Sequence, residues 1–122
     1  MFLQLAHTKL TVYQISQELA LEAYKITKKF SAAEKFAMIS QVRRAALSVH
    51  LNLAEGCSRN SQKERNRYFE IARGSVIEVD TAIGIAHQLG YAALEEIQNL
   101  GESIIKTFKL LSGMIKSEDT HN

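Results

Sequence analysis

Not one proline occurs in this chain of 122 residues, and only six residues are glycine. Proline fixes φ, lacks an N–H and breaks helices, so its absence leaves few local stops to long helices. Into this permissive background, apolar residues fall at alternating spacings of three and four. Val12, Ile15, Leu19, Ala23, Ile26 and Phe30 make the first such series, and Ile39, Val42, Ala46, Val49 and Leu53 the second. Phe69, Ala72, Val76, Val79, Ile83 and Ala86 make the third. The fourth is Leu94, Ile97, Gly101, Ile104, Phe108, Leu111 and Ile115. That period is the signature of a helical packing seam. No stretch alternates as a strand does. The expected class is all-α: one domain spanning residues 1–122, with helices at about 8–30, 32–55, 62–89 and 93–116. Short connections make it an antiparallel up-and-down four-helix bundle.

Local signals place the boundaries. Thr8 or Thr11 is expected to cap the first helix. Ser31-Ala32-Ala33-Glu34 and Ser61-Gln62-Lys63-Glu64 have capping-box spacing and mark the second and third starts. Gly56 and Gly90 are expected as the C-terminal stops that follow. The second helix is apolar nearly all round, because Leu47, Leu51 and Ala54 widen its seam; such a helix is normally buried on several sides, which implies a second subunit. Gly74 and Gly84 inside the third helix each cost roughly 1 kcal/mol against Ala. Close approach of another helix would offset that cost. The last six residues are polar and expected to fray.

Charge is unevenly spread. Residues 41–75 hold seven basic and three acidic residues, a net +4, whereas residues 76–122 hold three basic and seven acidic, a net −4. A basic middle and an acidic end fit an anionic partner, or two surfaces that attract each other in an oligomer. A lone cysteine, Cys57, excludes an internal disulfide and fits a reducing, cytoplasmic setting. No apolar run approaches the ~20 residues of a membrane span.

Residues 41–78 carry the pattern Gln41-Val42-Arg43-Arg44-Ala45, Ser48, Asn52-Leu53-Ala54-Glu55-Gly56, Arg59, Ala72-Arg73-Gly74-Ser75 and Glu78. Together with the later Leu89-Gly90-Tyr91, it resembles the four-helix bundle proteins encoded in intervening sequences of bacterial 23S ribosomal RNA genes. The resemblance covers nearly the whole chain. It implies a homopentamer and no enzyme activity. It also implies binding of RNA or DNA, or of a nucleic-acid-handling partner, as in the related accessory protein of diversity-generating retroelements. Relatives usually have Pro where this chain has His50. Pro there would kink the second helix; His50 lets it run straighter.

Two clusters stand out. Arg59, Lys63, Arg65 and Arg67 surround the turn before the third helix and suit a phosphate-binding patch at a helix N-terminus. Glu64 and Glu70 interrupt it, so a solvated helix end or a subunit surface fits equally. Gln41, Arg44, Ser48, Asn52 and Glu55 form a polar stripe on the second helix, with Ser75 and Glu78 on the third. The expected role is a hydrogen-bonded network fixing register or subunit contacts, with Arg43 or Arg44 paired to Glu55 or Glu78. A ligand pocket is the weaker reading.

Catalytic chemistry has little to stand on. Arg44 and His50 have the Arg-x5-His spacing of HEPN ribonucleases, a pair of residues at loose spacing that arises readily by chance. No cofactor is implied. His7, His50, His87 and His121 lack the Glu-x-x-His partners of a metal-binding bundle, and neither a phosphate loop nor a nucleophile elbow occurs.

Overall fold

A computed structural model describes residues 1–116. The polar tail expected to fray lies outside these residues, as does His121. Four α-helices follow one another: α1 (Thr11–Thr27), α2 (Met38–Cys57), α3 (Gln62–Gln88) and α4 (Gln98–Met114). Short 3-10 helices at Ala6–Lys9, Ala32–Glu34 and Leu94–Ile97 precede α1, α2 and α4. There is no strand among the described residues.

Side-chain contacts fix the topology. His50 meets Ser16 and Arg43 meets Thr27, so α2 runs antiparallel to α1. Gln41 meets Glu78 and Ser48 meets Ser75, which reverses α3 against α2. Asn66 reaches Lys116 and Arg73 reaches Ser112, which reverses α4 against α3. The result is an antiparallel up-and-down four-helix bundle around one core. Burial follows the periodic seams: Leu19, Ala23, Val42, Ala46, Val49, Leu53, Phe69, Ala72 and Val79 are all at most 1% exposed. No described helix is long and apolar enough to cross a membrane.

The helix starts differ from expectation. Neither threonine caps α1. Its N-cap is Leu10, with no side-chain cap bond, and the Thr8 hydroxyl donates instead to the Leu5 carbonyl at 2.7 Å. Extended backbone at Leu10 separates the 3-10 helix from α1, which ends at Thr27 rather than near residue 30. The first capping box is likewise displaced. Ser31 accepts from the Ala33 N–H, while Glu34 accepts from the Met38 N–H at 3.3 Å and from the Tyr91 hydroxyl at 2.7 Å. Glu34 thus caps the true start of α2, six residues later than expected. The second box behaves as read on one side: the Ser61 hydroxyl oxygen accepts from the Glu64 N–H at 3.1 Å.

The seam of α4 departs from expectation at two positions. Leu94 and Phe108 are exposed, while Ile104 and Leu111 are buried as expected and are joined in the core by Leu100, Ser103 and Thr107. Leu94 belongs to a 3-10 helix with three residues per turn, so the α-helical phase restarts at Gln98.

Two glycines have opposite roles. Gly90, at φ +82°, ends α3: its N–H bonds the His87 carbonyl and the Tyr91 N–H bonds the Ala86 carbonyl, the paired bonds of a Schellman cap. Gly56 is no stop. It lies inside α2, buried, where a Cβ would come within 2.6 Å of the Phe69 ring. Gly74 and Gly84 have no atom within 4 Å of a Cβ position among the described residues, so no helix of this chain approaches them closely. Gly56→Ala is therefore expected to cost ~1–3 kcal/mol by overpacking a ring that cannot yield. Gly74→Ala should gain ~0.5–1 kcal/mol of helix propensity. Denaturant unfolding of the two variants checks the opposite signs.

Candidate nucleic-acid interface

The four basic residues around the α2–α3 turn separate into two kinds. Arg65, one turn into α3, points back: its Nη1 donates to the carbonyls of Cys57 at 3.0 Å and Arg59 at 3.3 Å, and its guanidinium lies 5.6 Å from the Phe69 ring centre. It neutralises the carbonyl end of α2, where a cation is favoured. Arg59 bonds the Glu55 carboxylate and the Tyr68 hydroxyl and lies 4.8 Å over the Tyr68 ring. Lys63 and Arg67 are exposed on the first two turns of α3, where they line an open groove with Glu64 and Glu70. The sequence placed all four together; the fold commits two of them to the bundle itself. Tyr68, the platform under Arg59, carried no signal beyond being an aromatic next to a core phenylalanine.

The expected polar network forms in part. Ser48 and Ser75 hydroxyls bond across α2 and α3 at 2.9 Å, and the Asn52 amide donates to the Ser48 carbonyl at 2.9 Å and hydroxyl at 3.0 Å. Gln41 donates to Glu78. The arginine pairings differ from those expected. Glu55 takes Arg59 as its partner. Arg43 turns to α1, where Nε donates to the Thr27 hydroxyl at 2.8 Å, Nη2 to the Tyr24 carbonyl at 3.3 Å, and the guanidinium stacks on Tyr24 at 4.9 Å. Thus Arg43 serves the C-terminus of α1 as Arg65 serves that of α2. The reason is shared: helix-end carbonyls are fixed acceptors that cost no side-chain ordering on their side.

Arg44 and His50 are not brought to one place. Arg44 is exposed on the outer side of α2. His50 is half-buried against α1, its Nδ1 2.7 Å from the Ser16 hydroxyl and its ring 4.4 Å from that of Tyr13. Ser16 donates to the Tyr13 carbonyl at 3.0 Å, which leaves its oxygen to accept from the His50 Nδ1–H. Helix α2 runs unbroken through this position. Among the described residues no cluster of His, Cys, Asp and Glu could hold a metal ion. Burial pushes the Cys57 thiol up, with Arg65 opposing it, so it is a poor nucleophile.

A family model matches residues 8–113. The chain belongs to the 23S rRNA-intervening sequence protein family. The family resemblance was carried by Arg43, Ser48, Asn52, Gly56, Ser75 and Glu78, and in this structure those residues cap α1 or sit where α2 packs on α3. A crystal structure of a protein of unknown function from the S23 ribosomal protein family of Bacteroides thetaiotaomicron VPI-5482 has the same fold. It is 22% identical, with a TM-score of 0.78 over 88% of this chain and 100% of that one. No curated protein matches this chain.

Two measurements test these assignments. Arg65→Ala is expected to lose ~1–2 kcal/mol, since two charge-assisted bonds to helix-end carbonyls disappear. Lys63→Ala should stay within ~0.5 kcal/mol of the parent by denaturant unfolding. The second concerns pH. Burial first, and the nearby His7 second, hold His50 below its usual 6.5. A histidine depressed in the fold binds fewer protons there than in the unfolded chain. Its contribution is complete above about pH 6.5 and is lost as the pH falls toward the folded value. Thermal unfolding between pH 7.5 and 5 should show that decline, and His50→Gln should flatten it.

Proposed function

We propose that this protein is a non-enzymatic, self-associating four-helix bundle that binds nucleic-acid phosphates through Lys63 and Arg67. The observation that carries the nucleic-acid part is the division of the basic cluster. Arg59 and Arg65 have partners within the bundle, while Lys63 and Arg67 stand in solvent on one ridge beside the N-terminus of α3. A helix N-terminus with free cations beside it suits a phosphate chain. The family's description, which ties it to intervening sequences of 23S rRNA, supports the same reading. The non-enzymatic part is supported by the separation of Arg44 from His50, which leaves the ribonuclease alternative without a shared cleft. Self-association is supported by apolar side chains left outside the core, among them Leu47, Leu51, Ile77 and Ile105. A homopentamer is the state that the family resemblance favours.

A second reading, a protein-interaction module with no nucleic-acid role, is favoured by one feature. Glu64 and Glu70 line the same groove as Lys63 and Arg67 and oppose an anion there.

Binding of labelled RNA and DNA across a salt series separates the two. Phosphate contacts predict log affinity falling linearly with log salt, with a slope reduced by about 2 when both Lys63 and Arg67 are reversed to Glu. Reversal should leave the assembly size unchanged in light scattering. No binding at low salt, or binding indifferent to the reversal, would assign the groove to protein contacts.

A further inference from the structure

The connection between α1 and α2, residues 28–37, is held against the bundle at three points. Phe30 is buried, its ring 5.5 Å from that of Tyr91. Glu34 accepts from the Tyr91 hydroxyl at 2.7 Å and from the Met38 N–H at 3.3 Å. Lys29 pairs with Glu96 at 3.1 Å. The Glu34–Met38 bond closes the segment 34–38, and the Ala37 N–H bonds the Glu34 carbonyl inside it. Phe36 stands at the middle of this segment with 90% of its surface exposed. A singly exposed apolar residue is ordinary. This one is set apart because the backbone on both sides of it is tied, so the ring is presented to solvent at a defined place. Lys35 Nζ lies 5.4 Å from the ring centre. The side chains of Lys28 and Lys35 are exposed and have no ion-pair or hydrogen-bond partner among the described residues. Two nearby carboxylates, Glu34 and Glu96, are engaged as above, and Glu95 is the exposed one that opposes an anion here.

We propose that Phe36 is a stacking platform for an unpaired base of single-stranded nucleic acid, with Lys28 and Lys35 taking the flanking phosphates. This rests on the nucleic-acid reading and adds to it a second contact and a strand preference. An aromatic ring with cations beside it is the arrangement that holds a single strand, because every base has a face to stack and every linkage a charge to neutralise. A duplex keeps its bases stacked on one another and offers the ring nothing. The site lies at the opposite end of the bundle from Lys63 and Arg67, separated by the 20 residues of α2, about 30 Å. A lipid surface would call for a wider apolar area, and Leu94, exposed on the facing connection, is followed directly by Glu95 and Glu96.

The chain holds no tryptophan, so Phe36→Trp places a single indole at the site, and its emission reports a stacked base. Single-stranded RNA and DNA of one sequence, each compared with its duplex, are the probes, and circular dichroism confirms that every variant stays helical. Quenching by single strands and not by duplexes is the expected result, and it should persist when Lys63 and Arg67 are both reversed to Glu. Phe36→Ala should weaken single-strand binding about tenfold without changing the salt slope, whereas Lys28→Glu should lower that slope by about 1. Equal quenching by duplexes, or single-strand binding indifferent to Phe36→Ala, overturns the proposal and leaves the Lys63 and Arg67 groove standing. A blue-shifted emission on phosphatidylglycerol vesicles with no quenching by either strand would give the ring to a lipid surface and overturn it as well. A parent protein that binds neither RNA nor DNA at low salt removes the nucleic-acid reading and this inference together.

Discussion

The seat of the Phe69 ring against Gly56 is the contact on which the rest of the bundle depends. It occurs where α2 has almost ended and α3 has scarcely begun, so it sets how closely the two longest helices approach and in what register. From that point the pairs run up the seam in order: Ser48 with Ser75, then Gln41 with Glu78. A larger residue at position 56 would push the helices apart at the end where Arg65 reaches the last carbonyls of α2. The close approach and the arginine cap are therefore parts of one junction. The cap satisfies acceptors that the turn exposes, and the ring excludes water from beneath it.

The same logic disposes of part of the positive charge in residues 41–75. Arg43 and Arg65 each serve the carbonyl end of the helix before their own, and each lies over an aromatic ring while doing so. Charge that looks available in a linear count is spent on helix ends. Within residues 41–75 the basic side chains left without a partner among the described residues are Lys63 and Arg67 at one end of α3 and Arg44 on the outer side of α2. Function is best sought where side chains lack a partner in their own chain, which is why the free cations and the apolar side chains left outside the core bear on it more than the motif as a whole.

The core and the class of fold were legible in the chain because helical period and burial share one cause. Every third or fourth residue returns to the same face, and that face must leave water. Three of the four seams were readable in phase for this reason. The fourth was readable only in part: Ile104 and Leu111 are buried as expected, but Leu94 lies in a 3-10 helix that precedes α4 and is exposed, as is Phe108. The capping signals were legible as residue types but misplaced as positions. Glu34 has one carboxylate and two claimants, and the Met38 N–H and the Tyr91 hydroxyl, the latter brought from 57 residues away, prevailed over its own neighbour Ser31.

The sequence by itself determined that this chain is a bundle of four helices, where most of its apolar faces lie, and which family it resembles; these follow from local period and from residue identity at fixed spacing. Tertiary structure alone decided which arginines are consumed and which remain, that Gly56 makes room for a ring instead of ending a helix, and that His50 belongs to Ser16 and Tyr13 instead of Arg44. Those outcomes are competitions between partners far apart in the chain. Spacing along a sequence cannot rank such partners, because their distances exist only after the helices have packed.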